Sequence, residues 1–154
     1  MAVYTEVGFD EADRLVRRLG LGALTELRGI RSGIENTNYY ATTVRGQWVL
    51  TLFERLPREQ LPYYLRLMEH LARHGIPVPA PQADDRGEIL HSVAGKPAAV
   101  VTRLPGSHRL APDADHCAQV GAMLARVHLA GADFAFQQPH LRGLAWWQQV
   151  APEV

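Results

Sequence analysis

A switch in hydrophobic period constrains this chain more than any other feature. Residues 24–30, 36–44 and 47–53 are β-branched, aromatic or alternating, the signature of half-buried strands. Residues 59–74 then return to helical spacing, with Leu61, Tyr64, Leu65, Met68, Leu71 and Ala72 on one face and Arg66, Glu69 and Arg73 opposite. A three-stranded antiparallel meander, joined at its second turn by Arg45-Gly46, therefore runs into one long helix stopped by Gly75.

The flanking segments extend that pattern. Residues 9–20 form a short amphipathic helix, with Asp10 as N-cap, Leu15, Val16 and Leu19 as its stripe and Gly20 as its stop. Three prolines hold residues 76–81 extended, and Asp84-Asp85-Arg86-Gly87 turns the chain into a strand over 88–93. Ala94-Gly95-Lys96 turns it again into a strand over 98–103, which brings the sheet to about five strands. Leu104-Pro105-Gly106-Ser107 breaks the pattern, and Pro112-Asp113 opens a helix striped by Cys117, Val120, Leu124, Val127 and Leu129. Three strands, a helix, two strands, a linker and a helix make an α+β fold.

Charge and composition exclude several classes. Sixteen basic residues balance sixteen acidic ones, so no global field draws nucleic acid or anionic lipid. No apolar run approaches the ~18 residues of a membrane span, and residues 1–20 carry charges too often for a signal-peptide core, which places the chain in the cytoplasm. Cys117 is the only cysteine and is expected as a small core residue, with no partner for a disulfide or zinc cluster. At 154 residues the length suits one ordinary domain.

The densest polar cluster is Arg31-Ser32-Gly33-Ile34-Glu35-Asn36-Thr37-Asn38-Tyr39-Tyr40, where the first strand turns into the second. Its glycine, hydroxyls and amides could cradle phosphate oxygens, but the pattern alone favours a polar hairpin loop whose side chains bond their own backbone. Gly95-Lys96-Pro97 lacks the Ser or Thr of a P-loop, so Lys96 reads as a turn residue. His70 and His74 stand at i, i+4 and could share a metal. The Glu of H-E-x-x-H is missing and no third ligand is obvious, so solvated helix-face histidines are expected. His128 is expected as a buried, hydrogen-bonded structural residue, and Ser107-His108 is no nucleophile elbow. Asp84-Asp85 and Asp113/Asp115 read as a turn and a helix start, not as paired catalytic carboxylates.

Several segments together carry a resemblance. The segment Ser32 to Tyr40, Trp48-Val49-Leu50-Thr51-Leu52-Phe53-Glu54, His74-Gly75-Ile76-Pro77-Val78-Pro79, Ala94-Gly95-Lys96-Pro97-Ala98, Leu124-Ala125-Arg126-Val127-His128 and Arg142-Gly143-Leu144-Ala145-Trp146-Trp147 resemble the bacterial homoserine kinases of the aminoglycoside phosphotransferase and choline kinase superfamily. The likeness runs along essentially the whole chain and implies a protein-kinase-like fold. It implies a small lobe over 1–103, a hinge over 104–111 and the first helices of a large lobe over 112–154. It further implies ATP-dependent phosphorylation of the homoserine hydroxyl, a step towards threonine, with ATP, Mg2+ and L-homoserine as partners. By that resemblance Arg31, Ser32, Gly33, Ile34, Glu35, Asn36, Thr37 and Asn38 cover the ATP phosphates, Thr51 takes the place of the small-lobe lysine, and Val101, Thr102, Arg103 and Leu104 form the hinge against adenine.

Two departures qualify this expectation. The superfamily's Lys on the third strand and Glu on the next helix correspond here to Thr51 and Tyr64, and Lys96, the only Lys, lies on another hairpin. No His is followed two residues later by Asp, and Asn36 and Asn38 are the only asparagines, so the superfamily's base and metal ligands are not in this chain. The sequence thus looks like the N-terminal half of a kinase, inactive alone. Phe134, Trp146 and Trp147 are then orphaned core residues, and exposed tryptophans favour self-association or pairing with the other half. A stand-alone nucleotide- or partner-binding module, or another small-molecule kinase such as an aminoglycoside phosphotransferase, are the alternative readings.

Overall fold

The computed structural model describes residues 5–139 and 143–153. Arg142 of the last motif and Val154 lie outside the described residues. The element order is α1 (Phe9–Arg18), β1 (Leu24–Ile30), β2 (Asn36–Thr43), β3 (Gly46–Phe53), α2 (Leu61–Arg73), β4 (His91–Val93), β5 (Lys96–Thr102), α3 (Ala114–Ala130) and α4 (Leu144–Val150), followed by a 3-10 turn over Ala151–Glu153. The strands form one antiparallel sheet in the order β1-β2-β3-β5-β4. The α+β class and the five strands are as expected.

Alternation assigns each strand residue to one of two sheet faces. On the first, Tyr39, Ala41, Leu50, Leu52, Ala98 and Val100 pack against Ala12, Leu15 and Val16 of α1 and Leu19 just after it. Leu50 and Leu52 are fully buried there, worth about 1.5–3 kcal/mol each as transfer from water. On the second, Leu65 of α2 packs with Ile89 and Ala99, flanked by Phe53, Met68 and Leu90. The sheet is thus covered on both faces, by α1 as well as by the expected long helix.

Local details differ from the sequence reading where short-range chemistry decides. Gly8, not Asp10, caps α1, because the backbone oxygen of Gly8 already accepts from Glu11 and Ala12 N–H. Val44-Arg45 is the two-residue link between β2 and β3, since Thr43 pairs directly with Gly46. Helix α2 begins at Leu61, and β4 is reduced to its last three residues because Asp84 closes the preceding turn, its Oδ1 accepting from Arg86 and Glu88 N–H. Gly75 ends α2 at φ 71°, a left-handed conformation favouring glycine, while Gly75 N–H reaches Ala72 O and Ile76 N–H reaches Leu71 O.

Helix α3 is built differently. Asp113 caps it through a reciprocal pair with His116, as its helix-start reading implied. None of its residues is buried: Val120, Leu124 and Leu129 are exposed, as are Cys117 and His128. Cys117 is therefore not a core residue and His128 is not a buried structural one. Cys117 lies on the apolar stripe of α3, which none of the described residues covers. The end of α3 nevertheless touches α2, with Arg126 Nη2 donating to Gly75 O and His70 Nε2 lying 2.7 Å from Ala130 O. Phe134, expected as an orphan, packs against Tyr63 and His70 at ring separations of 5.7 and 5.3 Å.

Candidate nucleotide site

The second sheet face does not close completely over α2. A cavity of about 430 Å3 remains between the sheet, α2 and the segment leaving β5. Its floor is set by strand alternation: Val49, Thr51 and Phe53 from β3, and Ala99 and Val101 from β5. Leu65 and Met68 supply the helix side, Tyr40 and Ile30 one rim, and Thr102, Arg103, Leu104 and Gly106 the other. An apolar slot with exposed chain along one edge suits a flat heteroaromatic ring, which needs stacking surface and a few backbone bonds.

The edge can be examined bond by bond. Thr102 N–H donates to Ala80 O at 3.0 Å, and Thr102 Oγ1 accepts from Ala80 N–H at 2.8 Å. Arg103 N–H reaches Gln47 O at 3.4 Å. Leu104 is the hinge position whose backbone N–H has no partner among the described residues. All four hinge positions expected from the sequence, Val101 to Leu104, do line the cavity.

Thr51 and Asn38 meet inside the same face. Thr51 Oγ1 donates to Asn38 Oδ1 at 2.7 Å, which turns the Asn38 amide nitrogen toward Asn36 O at 3.4 Å and beneath Gly33. A neutral hydroxyl–amide pair therefore stands where the resemblance puts a lysine. Tyr64, at the expected glutamate position, instead accepts from Gln138 Nε2 at 2.9 Å and does not line the cavity. The loop over 31–35 is exposed, and Gly33 holds φ 121°, so a side chain there would strain the backbone.

Not every expected residue faces the cavity. Thr37 alternates to the opposite face, fully buried, where its hydroxyl donates to Glu54 Oε1 at 2.7 Å and accepts from Thr5 N–H. Lys96 is there too, its Nζ 2.7 Å from Glu54 Oε2. It is therefore the counter-ion of a buried carboxylate and not merely a turn residue. Burial pushes the Glu54 carboxyl up, but bonds from Lys96, Thr5 and Thr37 outweigh it and hold the group below its ordinary range.

Sequence reasoning missed Tyr40 as more than part of a motif. Its ring lies 5.1 Å from the Arg28 guanidinium and 4.4 Å from that of Arg103, so two cations gather at the cavity rim. Arg28 and Tyr40 stand opposite each other across β1 and β2, a register that only the folded sheet displays. No carboxylate lines the cavity among the described residues.

Residues 26–154 match the phosphotransferase enzyme family. The chain belongs to that family. It is 62% identical over 154 residues to a homoserine kinase of Polaromonas naphthalenivorans (strain CJ2), covering all of this chain and 49% of that protein. It is 58% identical over 158 residues to a homoserine kinase of Cupriavidus metallidurans (strain CH34), covering 48% of that one. The chain thus spans about half the length of the curated relatives it matches. Among solved structures, an amicoumacin kinase in complex with AMP-PNP, Ca2+ and Ami superposes with a TM-score of 0.60 at 20% identity, over 82% of this chain and 41% of the other. That likeness places the sheet and helices in a kinase-like fold. Among the described residues no helix is long and apolar enough to cross a membrane.

Proposed function

We propose that this chain carries the adenine-nucleotide site of a cytoplasmic ATP-dependent homoserine kinase, and that residues 1–103, 104–111 and 112–154 are its small lobe, hinge and the start of its large lobe. The observation that carries the reading is the cavity itself, opened on the kinase-like face of the sheet in a phosphotransferase-family chain. Adenine stacks between Val49, Ala99 and Val101 on one side and Leu65 and Met68 on the other, with the Leu104 backbone at its edge. The phosphates lie under the loop over 31–35, near the Asn38 amide. With no carboxylate in the lining, nothing in the cavity repels a polyphosphate.

Phosphoryl transfer needs a base and a divalent ion as well as a nucleotide cradle. The same missing carboxylates leave nothing in the cavity to hold Mg2+, so no step through the metal is assigned to these residues. The homoserine specificity rests on the relatives named above, and the net charge of zero gives no reason to invoke nucleic acid.

Calorimetric titration of the chain with ATP tests the site. Saturable binding is expected, reduced at least tenfold by Val49→Phe, which fills the floor; absence of saturation up to millimolar ATP overturns the nucleotide reading. The chain alone should release no more ADP with homoserine than a no-protein control. Joined to the C-terminal half of the Polaromonas relative, it should release ADP only when homoserine is present, and release indifferent to homoserine overturns the substrate assignment.

A further inference from the structure

We propose that His70, His74 and Asp133 form a site for a divalent transition-metal ion of the zinc class, which clips the end of α3 to α2. One ligand atom from each of these three residues lies within 4.8 Å of the others. The two histidines were expected to be solvated because no third ligand was visible near them in sequence. The fold supplies it from the turn after α3, and His70 is only 20% exposed.

The spacing fits a metal. Two ligands each about 2.1 Å from a tetrahedral ion stand roughly 3.4 Å apart. His70 Nε2 and Asp133 Oδ1 are 3.2 Å apart, and the His74 ligand atom lies within 4.8 Å of both. The tautomer of His74 is also set: its Nδ1 donates to His70 O at 2.9 Å, leaving Nε2 as the ligand nitrogen. Donation of the second ring nitrogen to a backbone carbonyl is the usual support of a metal-bound histidine.

His70 Nε2 faces two oxygens, Ala130 O at 2.7 Å and Asp133 Oδ1 at 3.2 Å. A bound ion takes the Nε2 lone pair of the neutral ring, whose one proton then sits on Nδ1. The Phe134 ring, 5.3 Å from His70, screens one side, while exposed His74 and Asp133 leave a coordination position open to water. Two nitrogens and one carboxylate select zinc, nickel or copper over magnesium, which requires oxygen ligands. The site is therefore separate in chemistry, and in place, from the divalent ion that accompanies a nucleotide.

The test uses the full chain with Cys117→Ser, which removes the exposed thiol as a competing ligand. Titration with ZnCl2 in the presence of excess MgCl2 should show one saturable equivalent, with a rise in melting temperature. His74→Ala and Asp133→Asn alter exposed side chains and should keep the fold by circular dichroism while each weakens zinc binding at least tenfold. Cobalt(II) should give a visible tetrahedral absorption band that both variants lose. No saturable equivalent, or full affinity and an unchanged cobalt band in both variants, overturns the proposal.

Discussion

The two faces of the sheet are made from alternate residues of the same strands, yet they differ in kind. Against α1, Leu50, Leu52, Ala98 and Val100 are fully buried, and the Glu54 carboxylate is matched by Lys96 and two threonines. Against α2, Val49, Thr51, Phe53 and Val101 stop short of closure and leave a cavity floored by neutral groups. A one-residue step therefore separates a face that holds the fold together from one that holds space for a ligand. Thr37 and Asn38, neighbours in one motif, fall on opposite sides of that division.

Truncating the packed face should have the largest effect. Leu50→Ala should lower unfolding free energy by about 2–5 kcal/mol by chemical denaturation, since the buried site cannot fully collapse. ATP affinity, measured where the variant is still folded, should stay within twofold of the parent. A tenfold loss of affinity without a change in stability would break the division between faces. Lys96→Met leaves the Glu54 carboxylate without its cation; because Lys96 is 38% exposed, the loss should be smaller, about 1–3 kcal/mol. On the other face, Thr51→Val removes the bond to Asn38 and frees its amide to rotate. Stability should change by less than about 1 kcal/mol, while ATP binding weakens roughly three- to tenfold in the same titration. An unchanged affinity would deny the Thr51–Asn38 pair any role at the phosphates.

What the sequence made legible follows the range of the interactions involved. The strands and helices were readable because period and turn residues are local: 24–30, 47–53 and the Gly75 stop need only their neighbours. The hinge residues and Thr51 were reachable through resemblance, and they line the cavity, Thr51 and Val101 on its floor and Thr102 to Leu104 along its rim. The pairings that decide roles were not readable, because they join distant segments. Lys96 at the start of β5 meets Glu54 after β3, His70 of α2 meets Asp133 beyond α3, and Arg28 of β1 and Arg103 after β5 converge on Tyr40 of β2. Cys117 failed for the converse reason: an apolar stripe states that a helix can be covered, not that these residues cover it.

Acid titration separates the two faces by whether a substitution's effect depends on pH. Glu54 is held below its ordinary value of 4.5 in the folded chain, so its ionised form stabilises the fold fully above the unfolded value. That contribution is lost as pH falls from about 4.5 through the lower folded value. Asp13, Asp84 and Asp113 are lowered as well, by the bond from Arg17, by Glu88 N–H and by His116 N–H respectively, and act with the same sign. They are present in every variant and cancel in a difference. Glu54→Gln should therefore be less stable than the parent at pH 7, with the gap narrowing steadily below pH 4.5 in denaturation curves taken at each pH. Thr51→Val, on a wall with no carboxylate, should run parallel to the parent across the same range. A gap for Glu54→Gln that stays constant on acidification would mean the Lys96 pair adds nothing to the packed face beyond shape.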